Sequence, residues 1–426
     1  MVTDEEFIHL NRIYNKKTTY NPIILYRKFL SLFKTIFEGL NLLKSQKNTI
    51  LLGSQYLTKE NLSQLNHLLD NDGIEINLYN FFLSNNINNH ELRKEILQIE
   101  CDSLVEKLIF EGIYHYLPNI YIEKFSKAIN FIDKITPPRA LKFLNSWNHS
   151  GGILVDFLVT NSVAKYNSKV IYPCHGGCFG IMKYSVQEQI WCEYIDAYVL
   201  WSKNFTMSDV RTSTQLPGLR LLKWNGFSTI PGEYVTLFLT GHYSERYSYN
   251  SVFPYTIDNS YSDWQIRFLD SIDSSIIPSV RVRDYHKSAS KDSGDISRWI
   301  SSNGINYDDS QSFDMALINS KITVHTVPQT TVLESLISDR PSIFYWNPDA
   351  NFIREDLLIF YEILEDVGVF HQSPESAALQ LNKIFDAPLI WWNSIEVRHA
   401  LDEFRKNVCY STGDTIESWS DFIKNV

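Results

Sequence analysis

The sequence predicts an α/β protein made of two Rossmann-like domains facing a central cleft. Three observations carry this expectation. The 426 residues exceed what one hydrophobic core usually holds, short apolar runs alternate with helical stretches in both halves, and polar or glycine-containing turns follow several of those runs. Hydrophobic residues at 44% and charged residues at 21% have the balance of a globular chain and exclude disorder. A formal charge of −10 excludes whole-surface binding to nucleic acid.

From Pro22 to Leu43 apolar residues recur at helical spacing with Lys and Arg opposite, which predicts a core-facing helix, with a membrane-surface helix as the second reading. Arg27, Lys28 and Lys34 interrupt this stretch, and no apolar run reaches the ~20 residues of a bilayer span. The acidic start, Met1 to Glu6, has no secretory pattern. The five cysteines are scattered and read as free thiols, so the expected location is cytoplasmic.

Thr49 to Gly53 predicts a strand, Thr58 to Leu69 a helix, and Ile74 to Leu78 a second strand. An Asn-rich loop lies around Ser84 to Asn89, and helical segments run on to about Ile132. Beyond Pro137-Pro138, Ala140 to Trp147 reads as a strand, Leu154 to Lys165 as a helix, and Lys169 to Pro173 and Ala197 to Trp201 as strands. Further strands are expected at Tyr234 to Thr240, Ser279 to Arg283, Ile322 to Thr326 and Pro341 to Trp346, with a last helix at Ile395 to Asn407. The expected domains are 1–230 and 231–395, with 396–426 a C-terminal helix packing back on the first.

Functional residues of open α/β sheets collect at strand ends, which selects three places. His175-Gly176-Gly177 follows a strand, and its glycines let backbone approach a ligand while the imidazole donates to a phosphate or sugar oxygen; a tight turn with a satisfied histidine is the plainer account. Cys174, His175, Cys178 and Cys192 offer metal ligands, but the Cys-x-x-Cys spacing is missing, and no metal is expected. At the second place Thr330 or Thr331 opens a helix whose free N–H groups favour a phosphate, and Glu334 is placed for ribose hydroxyls. A capping box of Thr331 and Glu334 fits the same spacing. At the third, alternation puts Arg281 and Arg283 on one strand face, with His286 beyond, as partners for a carboxylate or diphosphate. Asp156, Glu188 and Asp196 are the acids near the His175 strand end.

Together these pieces resemble a family of transferases from bacterial surface-polysaccharide loci, related to capsule Kdo transferases and pseudaminic acid transferases. The resemblance runs from about Pro137 to Phe404. It rests on His175-Gly176-Gly177-x-Phe179-Gly180, on Glu188 eight residues before Asp196 and the strand Ala197 to Trp201, and on the Arg281/Arg283 strand. It rests also on Thr330-Thr331-x-Leu333-Glu334, Arg340 to Asn347, Ser373 to Ala378 and Trp391-Trp392. Cys174 stands where relatives carry Gln, and the Asp-x-Gly of relatives is supplied by Asp292-Ser293-Gly294 after an insertion.

The resemblance implies a GT-B glycosyltransferase whose first domain faces the acceptor and whose second grips the nucleotide. It implies transfer of a 2-keto-3-deoxy sugar acid from its CMP donor to a glycan or glycolipid with retention, without metal or other cofactor. Contact with the inner membrane and with polysaccharide assembly proteins belongs to the same expectation. One of Asp156, Glu188 and Asp196 would act as nucleophile or base with His175 assisting, and Gly176, Gly177, Arg281, Arg283, His286, Thr330, Thr331 and Glu334 would hold the donor. A non-catalytic nucleotide-sugar-binding subunit and a UDP-sugar epimerase of the same fold are the alternatives.

Overall fold

The computed structural model describes residues 37, 39–44, 48–52, 57, 59–69, 74–76, 90–145, 153–174, 176–185, 188–189, 192–203, 213–227, 232–239, 260–283, 299–348, 352–411 and 415–426. Most of the helix expected from Pro22 to Leu43 lies outside them, as do His175 and His286.

The chain alternates strands and helices. In order these are β1 (Thr49–Leu52), α1 (Lys59–Leu68), β2 (Ile74–Ile76), α2 (His90–Leu97), α3 (Leu104–Tyr116), α4 (Phe125–Ile135), β3 (Lys142–Asn145), α5 (Ile153–Tyr166), β4 (Lys169–Pro173), β5 (Ala197–Leu200) and β6 (Ser213–Gln215). A 3₁₀ turn, Leu219–Trp224, leads to β7 (Tyr234–Phe238), α6 (Ser260–Asp270), β8 (Val280–Arg283), β9 (Asn306–Tyr307), α7 (Phe313–Asn319), β10 (Ser320–His325) and α8 (Thr330–Ile337). Then come β11 (Ser342–Tyr345), α9 (Glu355–Asp366), β12 (Phe370–His371), α10 (Pro374–Ile384), α11 (Pro388–Trp392), α12 (Ile395–Val408) and α13 (Thr415–Asn425).

Two six-stranded sheets result, ordered β2-β1-β3-β4-β5-β6 and β12-β11-β10-β7-β8-β9. Every strand pair with a described register is parallel. Numbered from its own first strand, the second sheet has the order 3-2-1-4-5-6 of the Rossmann fold, and its strand order reverses between β7 and β10. α8 rises directly from the end of β10, so its first residues stand at that reversal, the place where open α/β sheets bind ligands. The sheets change between Gln215 and Tyr234. Compactness divides the chain elsewhere: one unit comprises Met1–Gly53, Gly73–Phe143 and Asn148–Lys169, the other Ser54–Asp72, Leu144–Trp147 and Val170–Val426.

Alternation explains the second sheet's core. Val235, Leu237, Val280, Val282, Ile322 and Val324 point to one face and meet Phe268 and Leu269 of α6 and Ala377 and Leu381 of α10, all buried. In the first unit, Ala128 and Ile132 of α4 pack with Leu154 and Leu158 of α5. The residues expected as one last helix form two, α12 and α13. After α12 the chain returns to strands of the first sheet: Tyr410 N–H donates to Trp201 O, 2.9 Å, and Trp419 of α13 donates to Pro217 O, 2.8 Å. Tyr307 ends the short edge strand β9, and Asp308 follows it.

Asp339 locks α8 to the C-terminal helices. It takes a left-handed conformation, φ 58°, which Asp tolerates better than most residues. Its Oδ1 accepts from Arg398 at 2.5 Å and Arg405 at 2.8 Å, and Trp392 Nε1 donates to its carbonyl at 3.1 Å. Partial burial pushes the carboxyl pKa up, but bonds from Arg405 and Arg398 outweigh this and leave it below the ordinary value. Its stabilising contribution is therefore present above the unfolded pKa and is lost on acidification below about pH 4. Asp339→Ala removes both ion pairs and is expected to cost about 2 kcal/mol in guanidinium unfolding at pH 7, with a smaller difference from wild type at pH 3.

Candidate functional site

The site begins where β4 ends. Beyond Pro173 and Cys174, residues 176–180 form a turn in which Phe179 N–H donates to Gly176 O, 3.1 Å, and Gly180 has φ 71°, a conformation glycine adopts without strain. The Cys174 thiol donates to Gly176 O at 3.3 Å and Phe179 O at 3.4 Å. Both bonds lie inside the turn itself.

This turn lies directly on the start of α8. Gly177 N–H donates to Thr330 Oγ1 at 3.1 Å. A Cβ on Gly176 would stand 2.1 Å from Thr330 Oγ1, and one on Gly177 2.6 Å from the carbonyl carbon of Gln329 and 2.8 Å from Thr330 N. The close approach of two backbones is why both positions are glycine. Gly176, Gly177 and Thr330, read separately from the sequence, are one site within the second compact unit, with Thr331 half-exposed beside them.

α8 opens without a side-chain cap. Its N-cap is Gln329, which makes no capping bond, and its first turn carries no acidic residue. Such an end presents backbone N–H groups and the positive end of the helix dipole, which favour an anion. The capping box expected from Thr331 and Glu334 is not formed. Glu334 is fully buried and its Oε1 accepts from Trp224 Nε1 at 3.2 Å and Arg220 Nε at 3.3 Å, with Lys223 Nζ at 3.4 Å, all from the 3₁₀ turn Leu219–Trp224. Its Oε2 is buried without a hydrogen-bond partner. Glu334 therefore does not present its carboxylate for a ribose, because the 3₁₀ turn covers it.

The three acids have three different placements. Glu188 is 2% exposed and lies behind the turn, where its Oε1 accepts from Gly180 N–H at 2.7 Å and the Tyr198 hydroxyl at 2.7 Å. Burial pushes its carboxyl up to about 7, against the opposing bonds from Tyr198 and Gly180. The same burial pushes the Cys178 and Cys192 thiols to about 12. Asp196 stands ahead of β5, where its Oδ2 accepts from Val170 N–H at 3.0 Å, at the opposite end of the strands from the glycine turn. It clamps the start of β4 and is not brought to the site. Asp156 lies on the exposed side of α5, in the first compact unit.

The arginine pair separates. Arg281 and Arg283 share a face of β8, but Arg281 turns back to donate to Pro278 O, 2.9 Å, and Val280 O, 2.8 Å, and lies over the Tyr234 ring. Arg283 forms an ion pair with Asp308 and donates to Ser310 O, 3.0 Å. Same-face alternation does not bring the guanidinium groups together, since long side chains reach toward opposite ends of the strand and these two find internal partners. Among the described residues no group of three or more His, Cys, Asp or Glu side chains is placed to hold a metal ion.

A family model described as LIC12162 family transferase matches residues 3–423. The chain belongs to this family of transferases. No curated protein matches it in sequence. In structure the transferase is similar to a glycosyltransferase from Rickettsia africae ESF-5, with 10% identity, TM-score 0.43, and 89% of this chain and 98% of that one covered. It is similar also to Acinetobacter baumannii MurG, with 11% identity, TM-score 0.37, and 89% and 100% covered. Against the GtfA/B complex identity is 9% and TM-score 0.40; 70% of the transferase is covered and it spans 60% of that chain.

Two supports of the transferase's glycine turn escape sequence reading. Ser202 donates to Gly180 O at 2.7 Å and Arg354 donates to the same oxygen at 2.6 Å, while Arg354 N–H donates to Ile181 O, 2.9 Å. Ser202 follows the aromatic strand β5 and was within reach of a strand-end search. Arg354 lies 174 residues from Gly180, and no local pattern marks it. The close packing at Thr330 gives an expected outcome: Gly177→Ala should force the turn off α8, with a cost of about 1–3 kcal/mol seen as a lowered melting temperature.

Proposed function

We propose that this transferase is a glycosyltransferase of GT-B type, moving a 2-keto-3-deoxy sugar acid from its CMP donor to a bacterial surface glycan or glycolipid with retention. The observation that carries the reading is the meeting of the Gly176–Gly177 turn with the uncapped start of α8 at Thr330. A glycine backbone on one side and a helix N-terminus on the other suit a phosphate that leaves with negative charge, and such stabilisation needs no metal. CMP as nucleotide and a keto-sugar acid as cargo rest on the resemblance in the 175–196, 281–283 and 330–347 segments. The pairing of Arg281 with Arg283 gives that cargo no support, so His175 and His286 are the remaining cationic candidates for its carboxylate.

Asp156 is the solvent-facing acid of the three and is the proposed nucleophile or base. Asp156→Asn is expected to lower transfer by roughly a hundredfold or more with nucleotide affinity unchanged, whereas Asp196→Asn should lower the melting temperature and spare turnover. Full activity in Asp156→Asn removes that role.

The donor class is tested by thermal stabilisation against CMP, UDP and GDP, since selective binding raises the melting temperature by mass action. A rise with CMP alone supports the reading; a rise with UDP alone replaces the donor. Turnover unchanged by EDTA and a product of retained anomeric configuration are the companion outcomes.

A further inference from the structure

Glu188 is buried, carries a proton-binding group close to the turn, and among the described residues has no open face from which to attack a substrate. What it touches is the framework of the turn. One oxygen receives both Gly180 N–H and the Tyr198 hydroxyl, its own N–H donates to Ser185 Oγ at 3.2 Å, and Gly180 O on the other side of the same peptide chain is taken by Ser202 and Arg354. Gly180 is thereby fixed from both sides, three residues after the Gly177 that meets Thr330.

We propose that Glu188 is a positioning residue, the buried carboxyl that sets how the Gly176–Gly177 turn stands on the start of α8 by holding Gly180 N–H and the Tyr198 hydroxyl together. The proposal rests on the donor reading only for what the turn binds; the turn's geometry stands apart from it.

The ionisable groups facing Glu188 are Tyr198 on β5, Cys174 and Cys178 in the turn, Cys192 ahead of β5, and Arg354 ahead of α9. The thiols and the phenol are pushed upward by burial, so Glu188 is the group among them that titrates near neutrality. Its carboxyl is raised by burial from 4.5 to about 7 in the closed turn. An opening that returns it to water restores the lower value, so the closed turn binds the proton more tightly than the open one. Closure is then firmest on the acid side and weakens as pH rises toward about 7, beyond which it levels off.

The test is hydrogen–deuterium exchange over residues 174–183 in the full chain without ligand, with CMP affinity measured in parallel. In the wild type, protection corrected for intrinsic exchange should fall between about pH 5 and about pH 8. Glu188→Gln keeps a neutral acceptor and should hold protection near the acid-side value with no pH slope. Glu188→Ala should lose protection roughly ten- to a hundredfold, the scale of one hydrogen bond to an ionisable group. Tyr198→Phe removes a bond that pulls the carboxyl down and should move the wild-type midpoint to higher pH.

Wild-type protection in Glu188→Ala, equal loosening in the Gln and Ala variants, or a retained slope in Glu188→Gln overturns the proposal. If Glu188→Ala does not fold, the slope in Glu188→Gln and the midpoint in Tyr198→Phe decide it. Exchange that behaves as expected in a protein that binds no CMP upholds Glu188 and overturns the donor reading instead.

Discussion

The contact between the Gly176–Gly177 backbone and Thr330 is the constraint from which the rest of the site follows. Two main chains approach so closely that a single methyl group on either glycine would collide with side-chain or backbone atoms of residues 329 and 330. Backbone groups kept this near one another need fixed supports, because conformational freedom on either side would separate them. The supports are visible: Glu188, Ser202 and Arg354 hold Gly180, and Asp339 with Arg398 and Arg405 holds the far end of α8.

Among the described residues of the second compact unit, several charged side chains serve architecture. Arg283 serves Asp308, Arg220 and Lys223 serve Glu334, and Arg354 serves the glycine turn and Asp356. Among the described residues, the glycine turn and the start of α8 meet through backbone atoms and the Thr330 side chain. A backbone site has low tolerance for displacement, since its donors cannot reorient as side chains do, and this explains why so many buried polar groups are devoted to holding it in place.

Much of this arrangement was legible in the sequence. Strands such as Lys169 to Pro173 and Tyr234 to Phe238 are rich in apolar residues, the first matching the bounds read from sequence and the second ending two residues short of them, and the glycines and Thr330 stand out by their position after strands. The failures have physical causes. Arg281 and Arg283 alternate correctly, yet their side chains are long enough to leave the direction of their Cβ atoms. Glu334 has the spacing of a capping box, but a buried tryptophan N–H and two cations from a distant 3₁₀ turn outcompete the helix end. Asp196 and Glu188 lie eight residues apart and occupy opposite ends of β5, which spacing along a coil cannot reveal. α13 falls within the run read as one C-terminal helix over 396–426, in which Ile416, Trp419 and Ile423 keep a helical spacing of their own.

The return of the chain after α12 has a further consequence. Tyr410 bonds to Trp201 and Gly218, and Trp419 to Pro217, 202 residues away in sequence, so strands made early in synthesis gain these partners only after a long stretch of later chain has been made. A nascent chain that has not yet reached residue 410 lacks the three hydrogen bonds that Tyr410 and Trp419 make to residues 201, 217 and 218.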